Sequence, residues 1–178
     1  MPTQPPPSAN PAERYYASLA GRWHGSLELA ITDWSALRAT AMPWTAKLAW
    51  MAMGAVAQLI GPARIETTLS RAHDSGDWLH TTRVSQLGLC VLNTQESICP
   101  HGDGIVLTMH GQQAVWPRLQ TPLSYTAQGE IDERAAGATY RIPLLSAQVL
   151  QRTAITQTGL LLTQETPWMR AQVQLQRR

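Results

Sequence analysis

The chain has 178 residues, 44% hydrophobic and 15% charged, with 14 Lys plus Arg against 12 Asp plus Glu for a formal net charge of +2. This length suits one domain with a real core and is short for two. The charges are scattered, with no basic run apart from Arg177-Arg178, so no nucleic-acid partner is expected.

Residues 1–10 are proline-rich and carry neither the basic nor the apolar region of a secretory signal, so they read as a disordered tail ahead of a domain over 11–178. A short helix opens that domain. Asn10 is placed to cap it, Pro11 fits the first helical position, Glu13 completes a capping box, and Gly21 suits the left-handed residue beyond its end. Then Ala20-Gly21-Arg22-Trp23-His24-Gly25-Ser26-Leu27-Glu28-Leu29-Ala30-Ile31 alternates as a strand, Trp23, Gly25, Leu27 and Leu29 opposing His24, Ser26 and Glu28.

Thr32 or Asp33 caps a helical segment from about Trp34, and a second helix runs from Trp44 to Ile60 between Pro43 and Gly61-Pro62. Residues 42–60 hold a single charge, Lys47. Three readings stay open for this apolar segment: a lid within about 33–61 that covers the barrel mouth, a membrane-surface or dimer contact, and a membrane span. As a lid, it presents Trp44, Leu48, Met51, Ala55 and Leu59 near helical spacing.

Downstream, runs rich in Thr, Val, Leu, Ile and Gln recur between turn signals at roughly ten-residue intervals, the spacing of a sandwich or barrel. They fall near 64–71, 77–87, 91–98, 104–110, 123–131, 139–142, 147–156, 160–166 and 169–176. Asp74-Ser75-Gly76-Asp77, His101-Gly102-Asp103-Gly104 and Gln157-Thr158-Gly159 supply hairpin residues. With the first strand this makes about ten, joined mostly by short loops. The expected fold is mainly β, an antiparallel up-and-down barrel with a short N-terminal helix and an apolar helical insertion after the first strand.

Met169, Ala171, Val173 and Leu175 oppose Arg170, Gln172, Gln174 and Gln176, giving one dry and one wet face. Middle strands mix polar groups into one phase: Trp78, His80, Thr82 and Val84, and likewise Leu92, Thr94, Glu96 and Ile98. Seven Trp with no Phe also favour a cavity, because indoles suit sites with one apolar and one wet side. An apolar lumen with a few polar fixtures is the composition of a binding cavity.

Gly21-Arg22-Trp23 at the head of the first strand, the preceding helix and the antiparallel hairpins together resemble the calycin superfamily of lipocalins and fatty-acid-binding proteins. The inserted helical segment looks most like the portal of the latter. The resemblance implies a small hydrophobic ligand in the lumen. In lipocalins an arginine late in the chain packs across the motif Trp, and Arg170 is the nearest candidate, although its phase sets it with the outward glutamines. Fatty-acid-binding proteins hold a carboxylate with Arg-x-Tyr on the last strand; Arg170-Ala171-Gln172 has no tyrosine. Nitrobindin-like barrels hold haem by a histidine near the carboxyl end, whereas the last histidine here is His110, so no cofactor is implied.

The candidate ligand-binding residues are Trp23, Leu27, Trp44, Leu48, Met51, Trp78, His80, Thr82, Glu96, Tyr140 and Arg152. Glu96, if inward, needs a partner, and Arg83 or Arg152 is expected to supply it; Arg152 and Glu165 pair across late strands, on a face the alternation leaves open. Cys99, His101 and Asp103 alternate along a turn with no second cluster, so no metal is expected. Cys90 and Cys99 flank one strand and stand roughly 30 Å apart, beyond disulfide reach, which points to a reduced, cytoplasmic setting. Neither a nucleophile elbow nor a phosphate loop is present. Three functions remain: a binder or carrier of a small hydrophobic molecule; a cofactor-independent cyclase or isomerase of a polyketide-like or terpenoid substrate with His80 and Glu96 as catalytic proton-transfer groups; or an interaction module whose apolar helix docks to a membrane or partner.

Overall fold

A computed structural model of the chain describes residues 10–102, 105–115, 123–132, 134, 136–144 and 147–178. Residues 1–9 of the tail expected over 1–10, and the turn residues Asp103 and Gly104, lie outside them. Helix α1 (Pro11–Leu19) leads into strand β1 (Gly21–Ile31), followed by α2 (Trp34–Ala39), α3 (Trp44–Ile60), β2 (Ala63–Arg71), β3 (Trp78–Gln86), β4 (Leu89–His101) and β5 (Val106–Val115). The chain ends with β6 (Leu123–Asp132), β7 (Gly137–Leu144), β8 (Ala147–Thr156), β9 (Gly159–Glu165) and β10 (Met169–Arg177). All neighbours pair antiparallel in chain order, and β1 pairs with both β2 and β10, so the ten strands close into an up-and-down barrel.

The local signals act as expected at the helix ends. Asn10 Oδ1 accepts from the Glu13 N–H at 2.9 Å, and Gly21 follows the cap residue Ala20 at φ +129°, where a β-carbon is disfavoured. Asp33 caps α2 by accepting from the N–H groups of Ser35 and Ala36. One turn escaped the sequence reading: Leu87 and Gly88, at φ 52° and 79°, join β3 to β4 in two residues, because twisted strands favour a hairpin with both central residues at positive φ.

Two helical elements close the two ends. Tyr15, Tyr16 and Leu19 of α1 bury against Trp23, Leu69, Trp78 and Tyr140 at the end where β1 starts. At the opposite end Leu37 and Met42 pack with Ile31, Trp168 and Met169, and Trp50 and Met51 of α3 lie against this cluster. Trp50 meets Trp168 edge-on with ring centroids 5.2 Å apart. Gly54 lets α3 approach closely: a β-carbon there would stand 2.4 Å from Ile31 Cγ1.

The Arg170 expectation needs correction. Trp23 stands opposite Arg177 in the β1–β10 register while Arg170 faces Ala30, so Arg177 packs over the Trp23 ring at 5.2 Å and donates to the carbonyls of Ser18 and Ala20. Arg170 lies outside and pairs with Glu165 at 3.1 Å. Arg177 thus ties α1, β1 and β10 together. Replacing it with alanine is expected to cost roughly 1–2 kcal/mol, from one cation–π contact and two charge-assisted hydrogen bonds, read as a lower urea midpoint; an unchanged midpoint would make the tie cosmetic.

Candidate functional site

The barrel encloses a cavity of about 160 Å³ between Tyr15 and Tyr16 of α1 and Trp50 of α3. Its walls are mostly apolar: Leu27, Ile65, Val84, Leu92, Leu162 and Val173 come from six strands, each at an inward position of its alternation. An apolar cavity of about 150 Å³ takes a benzene-sized guest.

Polar groups sit on this wall in two adjacent rows. Cross-strand register aligns His80 with Glu96, Glu96 with Gly111 and Gly111 with Tyr125, a line over β3 to β6. Glu96 Oε2 stands 2.5 Å from His80 Nδ1, and the Tyr125 hydroxyl donates to Oε1 at 2.5 Å. Gly111 makes the second bond geometrically possible: a β-carbon there would lie 2.3 Å from Tyr125 Cζ, so the ring lies across the glycine to reach the carboxylate. The neighbouring row joins Trp23, Thr67, Thr82, Thr94 and Gln113 on β1 to β5.

The polar groups around His80 are all engaged. The Thr67 hydroxyl lies 2.8 Å from the Thr81 carbonyl, 2.7 Å from His80 Nε2 and 3.0 Å from Thr82 Oγ1, and Nδ1 on the other edge of the ring faces the Glu96 carboxylate at 2.5 Å. Burial pushes the Glu96 carboxyl up, but the hydrogen bond and charge of His80 and the hydrogen bond from Tyr125 outweigh it and hold the group below its ordinary 4.5. Burial raises the phenols as well: Tyr15, bonded to Thr153, is pushed up to about 12, and Tyr16 and Tyr140, bonded to each other, go well above the usual range. The expected Arg83 or Arg152 partnership with Glu96 is thus overturned, because both arginines fall in the outward phase of their strands, and Arg152 pairs outside with Glu165 at 3.5 Å.

Trp23, Leu27, His80, Thr82, Glu96 and Tyr140 all stand on the cavity wall. Trp78 is buried beneath them against Tyr16, with ring centroids 5.8 Å apart. The other candidates lie elsewhere. Trp44 and Leu48 are exposed, Met51 packs on the α2 cluster, and Arg152 is outside. On α3 the side chain that reaches the cavity is Trp50, one position before Met51, since helix rotation relative to the mouth is set by the contacts with Ile31 and Trp168. Sequence reasoning set Thr94 in the inward phase without naming it a candidate, and passed over Tyr15, Tyr16, Thr67, Gln113, Tyr125, Gln151 and Gln164. Thr67 was legible, flanked by Ile65 and Leu69 in one phase; Tyr125 was not, since its reach depends on a glycine one strand away.

No group of His, Cys, Asp or Glu among the described residues is arranged to hold a metal ion, and Cys90 and Cys99 are free thiols on one strand. The chain matches no protein-family model, and no curated protein is significantly similar to it. Fold and site together define a closed ten-stranded barrel with a helix at each end and a partly polar lumen, consistent with a calycin-like fold.

Two measurements probe the row. Tyr125→Phe is expected to cost roughly 1.5–3 kcal/mol, the value of a hydrogen bond to a charged group, and Gly111→Ala a similar amount by displacing the ring. The double variant should cost clearly less than their sum, since both remove one bond; additive losses in urea unfolding would separate Gly111 from the Tyr125–Glu96 contact. The lowered Glu96 carboxyl also carries a sign: its stabilisation is complete above the ordinary 4.5 and is lost as pH falls through the lower folded value. From pH 4.5 downward the wild type should lose unfolding free energy more steeply than Glu96→Gln; parallel curves would contradict the lowered carboxyl.

Proposed function

We propose that the protein binds or carries a small hydrophobic molecule in the barrel lumen, as the calycin superfamily it resembles does. One observation carries this reading: a largely apolar hollow persists inside a closed barrel whose inward side chains leave it unfilled. Ordinary cores pack to near-crystalline density. Burial of apolar ligand surface at about 25 cal/mol per Å² supplies the affinity, and the polar rows orient the guest. The helical insertion is the natural gate, with Trp50 as the side chain that both lines the cavity and packs on Trp168.

A cyclase or isomerase using His80 and Glu96 draws less support. Both ring nitrogens of His80 and both oxygens of Glu96 are already engaged, by Thr67, by each other and by Tyr125, which leaves neither group free to take a proton from a substrate. The outward face of α3 gives a second surface. Trp44 is 66% and Leu59 85% exposed, which supports contact with a membrane surface or a second copy of the chain when the gate loads; no helix among the described residues is long and apolar enough to cross a membrane.

The carrier reading is checked by titration with the small fluorescent dye 1-naphthol and by native mass spectrometry of the purified protein. One equivalent of dye is expected to bind with enhanced fluorescence, and Leu92→Trp, which puts an indole into the hollow, should weaken it at least about tenfold. Absence of dye binding together with a protein that carries no lipophile would remove the proposal.

A further inference from the structure

We infer that the guest is an uncharged molecule that presents one hydrogen-bonding group, a hydroxyl, carbonyl or carboxamide, to Thr94 and Gln113, rather than a carboxylate or an amine. This rests on the carrier reading and names the class of its ligand.

The first ground is charge. Among the described residues that line the cavity there is no Lys or Arg, and the ionisable groups other than phenols are His80 and Glu96. Both oxygens of Glu96 are engaged, one by His80 Nδ1 at 2.5 Å and the other by the Tyr125 hydroxyl. A carboxylate entering the lumen would give up its water with no cation to receive it, and would approach an existing carboxylate. An ammonium would find no free anion. Either transfer is costly in a largely apolar enclosure.

The second ground is the pattern of satisfied and unsatisfied hydrogen-bonding groups. Most polar side chains of the lumen are already engaged: Thr67 with the Thr81 carbonyl and His80, Thr82 with Thr67, and Gln164 with Gln151 at 2.7 Å. Thr94 and Gln113 differ. They are directly paired across β4 and β5, both line the cavity and both are partly buried. Neither side chain has a hydrogen-bond partner among the described residues. A hydroxyl and a primary amide side by side offer donors and acceptors without charge, which matches a group that accepts, or accepts and donates, one or two hydrogen bonds. A site that hydrogen-bonds such a group discriminates against analogues that lack it.

The test is calorimetric titration of the full chain at neutral pH with 1-octanol, octanamide, octanoate and propylbenzene. Octanol and octanamide should bind at least about tenfold more tightly than octanoate. The double substitution Thr94→Val with Gln113→Leu should weaken octanol and octanamide about five- to tenfold while leaving propylbenzene within about twofold. Gln113→Arg should reverse the order in favour of octanoate, with thermal unfolding confirming that each variant folds. Octanoate binding as tightly as octanol to the wild type, with propylbenzene also bound, would overturn the neutral-guest inference and leave the carrier reading standing. Uniform weakening of all four probes in the double variant would overturn the assignment of Thr94 and Gln113. Failure of every probe to bind, propylbenzene included, would overturn the carrier reading and this inference with it.

Discussion

Closure of the sheet between β1 and β10 is the constraint on which the rest depends. Nine residue pairs from Trp23 to Ile31 zip the first strand to the last, and without them the inward faces would line an open sheet with two exposed edges. The seam is close: a β-carbon at Gly25 would sit 1.7 Å from the Gln174 carbonyl oxygen. Arg177 then links the seam to α1 through the Trp23 ring and two carbonyls. The Gly-x-Trp pattern thus has a mechanical meaning here, since it places the indole where the end of the last strand can clasp it.

Closure also defines the electrostatics of the lumen. Inside a closed barrel a lone carboxylate would be expensive. Glu96 is tolerated because two strands bring donors to it: His80 from β3 in direct register, and Tyr125 from β6 across Gly111. A satisfied pair in such a place contributes little to net stability beyond a packed apolar alternative, whereas its separate halves would be costly. It keeps the lumen polar at one point, with both carboxylate oxygens already engaged. The neighbouring row of Thr and Gln extends that polarity toward the α3 end.

The two ends are built differently. At the α1 end, three tyrosines, two tryptophans and two arginine–indole contacts make a dense floor, with Arg71 5.9 Å from the Trp78 ring and Arg177 5.2 Å from that of Trp23. The α3 end is closed by one helix whose outer residues Trp44, Leu48, Leu59 and Ile60 face solvent. The hold of that helix on the barrel comes through Trp50, Met51 and Gly54 against Ile31 and Trp168. This asymmetry is what supports α3 as the gate of the proposed carrier.

Much of the architecture was legible because it is local. Alternation at period two, turn residues every ten positions or so, a capping Asn10 and Asp33, and Pro43 and Gly61 around an apolar helix are all short-range signals, and the elements formed where those signals fell, the Leu87-Gly88 turn and the extension of β5 to Val115 excepted. Inward phases followed as well, which is why His80, Thr82 and Glu96 were recognised together. Tertiary structure alone decided which outward or terminal groups meet: Arg177 rather than Arg170 over Trp23, His80 and Tyr125 rather than an arginine beside Glu96, and Trp50 rather than Trp44 at the cavity. Those choices turn on strand register, on glycines that admit a ring from the next strand, and on the rotation of a helix apolar on every side, and none of these is encoded in the spacing of residues along one segment.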